Sequence, residues 1–123
     1  MEGLRVLIVD DEVELVSAIV ERLNLRGFQA KGITSGEEAL DHLSNTQCDV
    51  VLLDVKMPGL GGLEVIKRIK EEHPGLAVIL LTGHGSAHDV EEGMELGAFD
   101  YLMKPVDIDV VVRTLLSATG RAG

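Results

Sequence analysis

Hydrophobic residues in this chain form short continuous runs, which alternate with stretches of helical periodicity. Runs of this length, bounded by turn residues, are typical of strands buried on both faces of a parallel sheet. The sequence predicts five of them, at residues 4–9, 28–31, 50–53, 76–81 and 101–103.

Between these runs, apolar residues recur every three or four positions, as on one face of an amphipathic helix. Leu15, Ile19 and Leu23 form the stripe of a first helix that ends near Gly27. A second helix is expected to start at Ser35, since a glutamate three residues later gives the spacing of a capping box. Three more helices are predicted: one that contains residues 63–69, one over about 87–96 and one from about 107 to 117.

The predicted order is a strand and a helix, repeated five times. Parallel strands are joined almost exclusively by right-handed crossovers, so this alternation predicts an α/β fold with helices on both faces of a doubly wound parallel sheet. A length of 123 residues fits one domain with its own core, and we expect residues 1–123 to form one domain without a linker.

Chemically active side chains follow four of the strand-like runs. Asp54 ends the most apolar run, Asp10 and Asp11 follow the first, Thr82 ends the fourth and Lys104 follows the fifth. In open α/β sheets, ligands bind at the carboxyl ends of the strands. Three carboxylates about 5 Å apart repel each other by roughly 3 kcal/mol per pair at an effective dielectric near 20, which a bound cation relieves. Hard oxygen ligands favour Mg²⁺, and the set as a whole suits a phosphoryl group.

Charge and composition exclude several classes of function. The formal net charge of −10 repels phosphate backbones, so we expect no direct binding to nucleic acid or to anionic membranes. No apolar stretch is long enough to span a bilayer. The single cysteine, Cys48, excludes an internal disulfide, and the sequence shows no signal peptide, so a cytoplasmic location is expected.

In order and spacing, these residues resemble the receiver domains of response regulators in two-component signalling. The resemblance runs from about residue 4 to residue 119 and includes the Asp10–Asp11 pair, Asp54 followed by Met-Pro-Gly at 57–59, Thr82, Tyr101 and the Lys-Pro pair at 104–105. Residues 81–85 and 97–101 are most similar to receivers of σ54-dependent enhancer-binding regulators. The resemblance implies a flavodoxin-like sheet of strand order 2-1-3-4-5.

The resemblance also implies roles for individual residues. A sensor histidine kinase or phosphotransfer protein would phosphorylate Asp54, and Lys104 would contact the phosphoryl group. Mg²⁺ would bind to Asp10, Asp11, Asp54 and the backbone carbonyl of Lys56.

Two further pairs of residues complete the implied site. Thr82 and Tyr101 would move together on activation, and Lys56 and His84 would influence hydrolysis of the phosphoryl group. The changed surface would lie on the fourth helix, fifth strand and fifth helix, and would contact a partner or an output domain. A phosphorylation-dependent dimer is a further implication, although the charge pattern that winged-helix regulators use for it is matched only at Asp100.

The same sequence also allows three other interpretations. A haloacid-dehalogenase-like phosphatase also uses an aspartate nucleophile with Mg²⁺, but it needs a second aspartate where this chain has Lys56, and 123 residues leave no room for a cap domain. A phosphorylation-independent pseudo-receiver would not need the complete set of site residues. His84 and His88 lie four residues apart, but without cysteines or a third histidine nearby they are better interpreted as loop and helix-surface residues than as a metal site.

Overall fold

The computed structural model describes residues 3–83 and 86–121, in which five strands and five helices alternate. The strands are β1 (Arg5–Val9), β2 (Gln29–Ile33), β3 (Val50–Asp54), β4 (Ala77–Thr82) and β5 (Asp100–Met103). The helices are α1 (Val13–Leu25), α2 (Gly36–Asn45), α3 (Gly62–Glu72), α4 (Ala87–Glu95) and α5 (Ile108–Ala118). Every element predicted from the sequence is present, with small shifts of its ends.

All strand pairs are parallel, and the strand order is β2-β1-β3-β4-β5. This confirms the doubly wound fold and the order 2-1-3-4-5. β3 lies at the centre, where Val9 of β1 pairs with Leu53 and Leu81 of β4 pairs with Asp54. The carboxyl ends of β1, β3, β4 and β5 therefore meet at one edge of the sheet.

The core consists of two aliphatic layers, one on each face of the sheet. Alternate residues along a strand point to opposite faces, so each strand contributes to both layers. Leu53 and Leu80 pack in the layer that α2 and α3 cover, and Leu52 and Ile79 pack in the layer that α1 and α5 cover. β3 is buried along its whole length, which explains its continuous apolar run.

Side-chain caps start two of the helices where the sequence predicts them. The backbone N–H of Glu38 donates to Ser35 Oγ over 3.2 Å at the start of α2, and that of Asp109 donates to Asp107 Oδ1 over 2.8 Å at the start of α5. These bonds satisfy donors that a helix N-terminus leaves free. In α1, the predicted stripe is slightly misplaced, because Val16 is buried while Leu15 is only half-buried.

Within residues 3–83 and 86–121, no helix is both long enough and apolar enough to cross a membrane.

Candidate functional site

Asp54 is the last residue of the buried central strand, and its side chain lies in the crevice at the carboxyl edge of the sheet. Only 5% of the residue is exposed. One carboxylate oxygen, Oδ1, accepts a hydrogen bond of 3.3 Å from the backbone N–H of Lys56, just beyond the strand. The central strand therefore presents one oriented carboxylate at the position predicted from the sequence.

Two further carboxylates face Asp54. Asp10 directly follows β1 and is fully buried, whereas Asp11 is exposed. Carboxylate oxygens of Asp10, Asp11 and Asp54 all lie within 4.8 Å of one another. Asp10 Oδ2 is buried and receives no hydrogen bond of good geometry from the described residues. Although an ammonium group also contacts this oxygen at 2.7 Å, three carboxylates that converge in this way fit a hard divalent cation.

Lys104 supplies the positive charge of the site. Its Nζ lies 2.7 Å from Asp10 Oδ2, 2.7 Å from Glu12 Oε1 and 3.6 Å from Asp54 Oδ2. Burial alone would lower the pKa of the Lys104 ammonium, but the contacts with Asp10 and Glu12 and the charge of Asp54 outweigh burial and raise it. The side chain is therefore a permanent cation at the edge of the crevice.

The electrostatic environment of Asp54 disfavours its charged form. Burial, followed by repulsion from Asp10, raises the pKa of Asp54 from near 3.8 to about 6, although the charge of Lys104 opposes this rise. Holding this carboxylate ionised at neutral pH thus costs free energy in the absence of a cation. The binding of a cation would therefore stabilise the ionised form of Asp54.

Neither residue of the acidic pair is the N-cap of α1. Glu12 occupies the N-cap position and makes no side-chain capping bond. Asp10 instead accepts a 2.9 Å hydrogen bond from the backbone N–H of Glu12, which turns the chain from β1 into the helix. Sequence reasoning also missed Glu12 as a partner of Lys104, since the two residues are 92 positions apart.

Thr82 and Tyr101 both line a cavity of about 270 Å³, together with Ser86, Val90 and Met103. Thr82 is buried at the end of β4, and its hydroxyl donates to the carbonyl of Gly83 over 3.2 Å. Tyr101 is 44% exposed on β5. A cavity of 150 Å³ already accommodates benzene, so this one has room for a tyrosine ring. Thr82 and Tyr101 thus share one cavity at the ends of neighbouring strands.

Of the two residues predicted to influence hydrolysis, only Lys56 belongs to the described part of the chain. Lys56 follows Asp54 closely, and its Nζ lies 3.9 Å from Asp89 Oδ2 on α4. His84 is outside the described residues, so the alternative metal site with His88 is not described either. His88 itself is exposed on α4.

Taken together, the site contains an oriented carboxylate nucleophile, two carboxylates that can hold a cation, an ammonium group and a nearby hydroxyl. Phosphoryl transfer requires an in-line nucleophile and positive charge around the equatorial oxygens, and these groups can supply both. The arrangement at the sheet edge is therefore chemically suited to accept a phosphoryl group on Asp54.

Comparison with known proteins agrees with this geometry. Residues 6–116 match the family model described as the response regulator receiver domain. The chain is 37% identical over 111 residues to the sporulation initiation phosphotransferase F of Bacillus subtilis, covering 90% of each protein. It is also 41% identical over 105 residues to the DNA-binding transcriptional regulator NtrC of Klebsiella pneumoniae, with 85% of this chain covered. The similarity to NtrC confirms the resemblance to receivers of σ54-dependent regulators.

A solved structure shows the same fold. The receiver domain protein of Clostridium thermocellum superposes with a TM-score of 0.90 at 35% identity, over 96% of this chain and 95% of that one. The chain spans only 22% of the length of NtrC from Klebsiella. This chain belongs to the response-regulator receiver domains, the phosphorylation-dependent switches of two-component signalling.

Proposed function

We propose that the chain accepts a phosphoryl group on Asp54 from the phosphohistidine of a sensor histidine kinase or phosphotransfer protein. The observation that carries this proposal is the position of Asp54 at the end of the buried central strand, within 4.8 Å of the Asp10 and Asp11 oxygens and 3.6 Å from Lys104 Nζ. As a signalling domain, the chain would catalyse only its own phosphorylation and dephosphorylation.

In the transfer, a carboxylate oxygen of Asp54 attacks the phosphorus as the bond from phosphorus to the histidine nitrogen breaks. The imidazole leaves with the electron pair, and solvent protons set its final protonation state. Lys104 would contact the oxygens of the transferred group, and the 3.6 Å between its ammonium and Asp54 Oδ2 supports this role. Hydrolysis reverses the modification: water attacks the phosphorus, and the bond to the Asp54 oxygen breaks.

Acetyl phosphate, a small phosphoryl donor, tests the assignment. In the presence of Mg²⁺, intact-mass analysis should show one added phosphoryl group, and borohydride reduction followed by peptide mapping should place it at Asp54. Acid stability of the adduct, or its assignment to a serine or another aspartate, would contradict the proposal.

The cation in the acidic cluster is proposed to be Mg²⁺, with Asp10, Asp11, Asp54 and the carbonyl of Lys56 as protein ligands. The three carboxylates support this choice, while the carbonyl is carried over from the family resemblance. When bound, Mg²⁺ would neutralise the carboxylates and the oxygens of an incoming phosphoryl group.

Mg²⁺ is therefore expected to stabilise the folded protein. At a free concentration ten times the dissociation constant, the free energy of unfolding should rise by about 1.4 kcal/mol. Urea denaturation with and without Mg²⁺ measures the change. Asp11→Asn should abolish it, whereas Glu14→Gln, an exposed change within α1, should not; equal Mg²⁺ effects in both variants would exclude this site.

The switch is proposed to couple Thr82 to Tyr101. After phosphorylation, the Thr82 hydroxyl would turn from the Gly83 carbonyl towards the phosphoryl oxygens, and Tyr101 would move into the cavity that both residues line. Support comes from the cavity itself and from the exposure of Tyr101. Two states that differ in these contacts allow modification of Asp54 to shift their populations.

Thr82→Ala is accordingly expected to accept the phosphoryl group but to lose most of the response at Tyr101. Tyr101 is the only tyrosine in a chain without tryptophan, so intrinsic fluorescence reports on it directly. Thr82→Ser keeps the hydroxyl and should retain the fluorescence change. If the alanine variant responds as fully as wild type, Thr82 is not part of the switch.

The surface that changes is proposed to be that of α4, β5 and α5. Phe99, Tyr101 and Met103 are exposed there, and exposed large apolar side chains in one region favour protein contacts. A partner protein, an output domain in the same polypeptide or a second phosphorylated copy would bind to this surface. One receiver domain over residues 1–123 and a cytoplasmic location complete the proposal, which includes no direct contact with nucleic acid.

Neither alternative function gains support from the site. A pseudo-receiver would not need Asp10, Asp54 and Lys104 brought together. A haloacid-dehalogenase-like phosphatase needs a general acid two residues after the nucleophile, where this chain has Lys56, whose side chain is exposed and lies near Asp89. Lys56 and His84 remain proposed modulators of hydrolysis.

A further inference from the structure

Lys104 has an ionic partner that the family resemblance does not assign. Its ammonium donates to Glu12 Oε1 over 2.7 Å, as short as its contact with Asp10 and much shorter than the 3.6 Å to Asp54. A distance of 2.7 Å lies in the range of a charge-assisted hydrogen bond. The lysine expected to serve the phosphoryl group is therefore already engaged by a carboxylate outside the acidic cluster.

The backbone of Glu12 is held from both sides. Its N–H donates to Asp10 Oδ1 over 2.9 Å, and its carbonyl accepts from the N–H of Val16 over 3.0 Å. The side chain is 60% exposed, whereas the side chain of Lys104 is 17% exposed. A fixed backbone thus presents a solvent-exposed carboxylate to a largely buried ammonium.

The three carboxylates around Lys104 are not equivalent. Asp10 is fully buried and belongs to the cluster that fits a cation, and Asp54 is the proposed acceptor of the phosphoryl group. Glu12 alone among them can return its carboxylate to water without leaving a buried charge, and such partly exposed pairs are worth little individually. If Lys104 loses one carboxylate partner when a phosphoryl group binds, the loss of Glu12 costs the least free energy.

We propose that Glu12 is a positioning residue that holds Lys104 in the unphosphorylated state and competes with the phosphoryl group for it. The inference rests on the proposed phosphorylation of Asp54 and extends it to a residue next to the acidic pair. Phosphorylation then exchanges one ionic partner of Lys104 for another. Glu12 thereby weakens the affinity of the site for a phosphoryl group and favours the resting state.

Beryllofluoride tests the competition, because BeF₃⁻ binds an aspartate carboxylate as a non-covalent substitute for a phosphoryl group. Titration in the presence of Mg²⁺, followed by Tyr101 fluorescence or ¹⁹F NMR, gives an apparent dissociation constant for each variant. Glu12→Gln removes the competing charge, and we expect binding about three- to fivefold tighter than in wild type.

Two matched variants separate the contact from general charge effects. Glu14→Gln removes the same charge two positions further on, where helix geometry turns it to another side, and should change binding by less than about twofold at 0.15 M salt. Glu12→Asp keeps the charge but withdraws the carboxylate by one carbon–carbon bond, about 1.5 Å. It should also bind BeF₃⁻ more tightly than wild type.

The outcomes are distinct. Tighter binding by Glu12→Gln and Glu12→Asp, with Glu14→Gln close to wild type and melting midpoints preserved, supports the proposal. Unchanged binding in both Glu12 variants overturns it, as does equal tightening in Glu14→Gln or a wild-type affinity in Glu12→Asp. Absence of BeF₃⁻ binding to the wild-type protein would instead count against phosphorylation of Asp54 and, with it, this inference.

Discussion

Asp54→Asn is expected to abolish acyl phosphate formation and, without divalent cations, to raise the free energy of unfolding by roughly 3 kcal/mol at neutral pH. The gain arises because burial and the charge of Asp10 raise the pKa of Asp54 to about 6, so that the ionised carboxylate is costly in the folded state. Asparagine keeps an oxygen that can accept the Lys56 N–H but carries no charge. The substitution thus removes the phosphoryl acceptor and also removes the cost of a buried charge in the unphosphorylated protein.

The pH dependence of this effect has a defined sign. Because the folded-state pKa of Asp54 lies above its unfolded value near 3.8, ionisation destabilises the wild-type protein progressively between about pH 4 and pH 6. Below that range, wild type and variant should be equally stable, and above it the difference should be constant. Urea denaturation in EDTA from pH 4 to pH 8 measures the difference.

A matched control is Asp41→Asn, which changes an exposed carboxylate on α2 and should have little effect at any of these pH values. Addition of Mg²⁺ should shrink the advantage of Asp54→Asn, since the cation stabilises the wild-type cluster. A variant that is less stable than wild type at pH 7 in EDTA would show that the Asp54 charge is not the dominant cost.

Gly62→Ala is expected to destabilise the protein by roughly 3 kcal/mol or more. Gly62 is the buried first residue of α3, and its N–H donates to the carbonyl of Val55 over 3.1 Å. A β-carbon at this position would lie 2.8 Å from both Cα and O of Val55 and would also overlap the carbonyl oxygen of Asp54. These are backbone atoms, so relief requires a shift of the chain that carries the phosphorylation site.

Urea denaturation measures the loss, and Gly75→Ala is the control. A β-carbon at Gly75 meets no atom within 4 Å, so the same substitution there should be neutral or slightly stabilising. If Gly62→Ala folds, its rate of phosphorylation by acetyl phosphate should also fall, since Asp54 would be displaced. Stability equal to that of Gly75→Ala would contradict the close approach of α3 to the end of β3.

Much of this molecule could be predicted from its sequence because the relevant signals are local. Continuous apolar runs mark strands covered on both faces, and the capping box at Ser35 marks the start of a helix. Since parallel strands end at a common edge, the residues that follow them are also expected to meet. Asp10, Asp54 and Lys104 do lie together for this reason, and Thr82 lies at the same edge.

The details that control the site were decided by tertiary structure. The pairing of Glu12 with Lys104 joins two loops 92 residues apart, and no periodicity or motif encodes the direction of an exposed side chain. The raised pKa of Asp54 depends on burial, and the constraint at Gly62 depends on how closely α3 approaches β3. The sequence by itself determined the elements, their order and the set of reactive groups. Distances, burial and competition among those groups arise only when the elements pack, because they depend on neighbours remote in the chain.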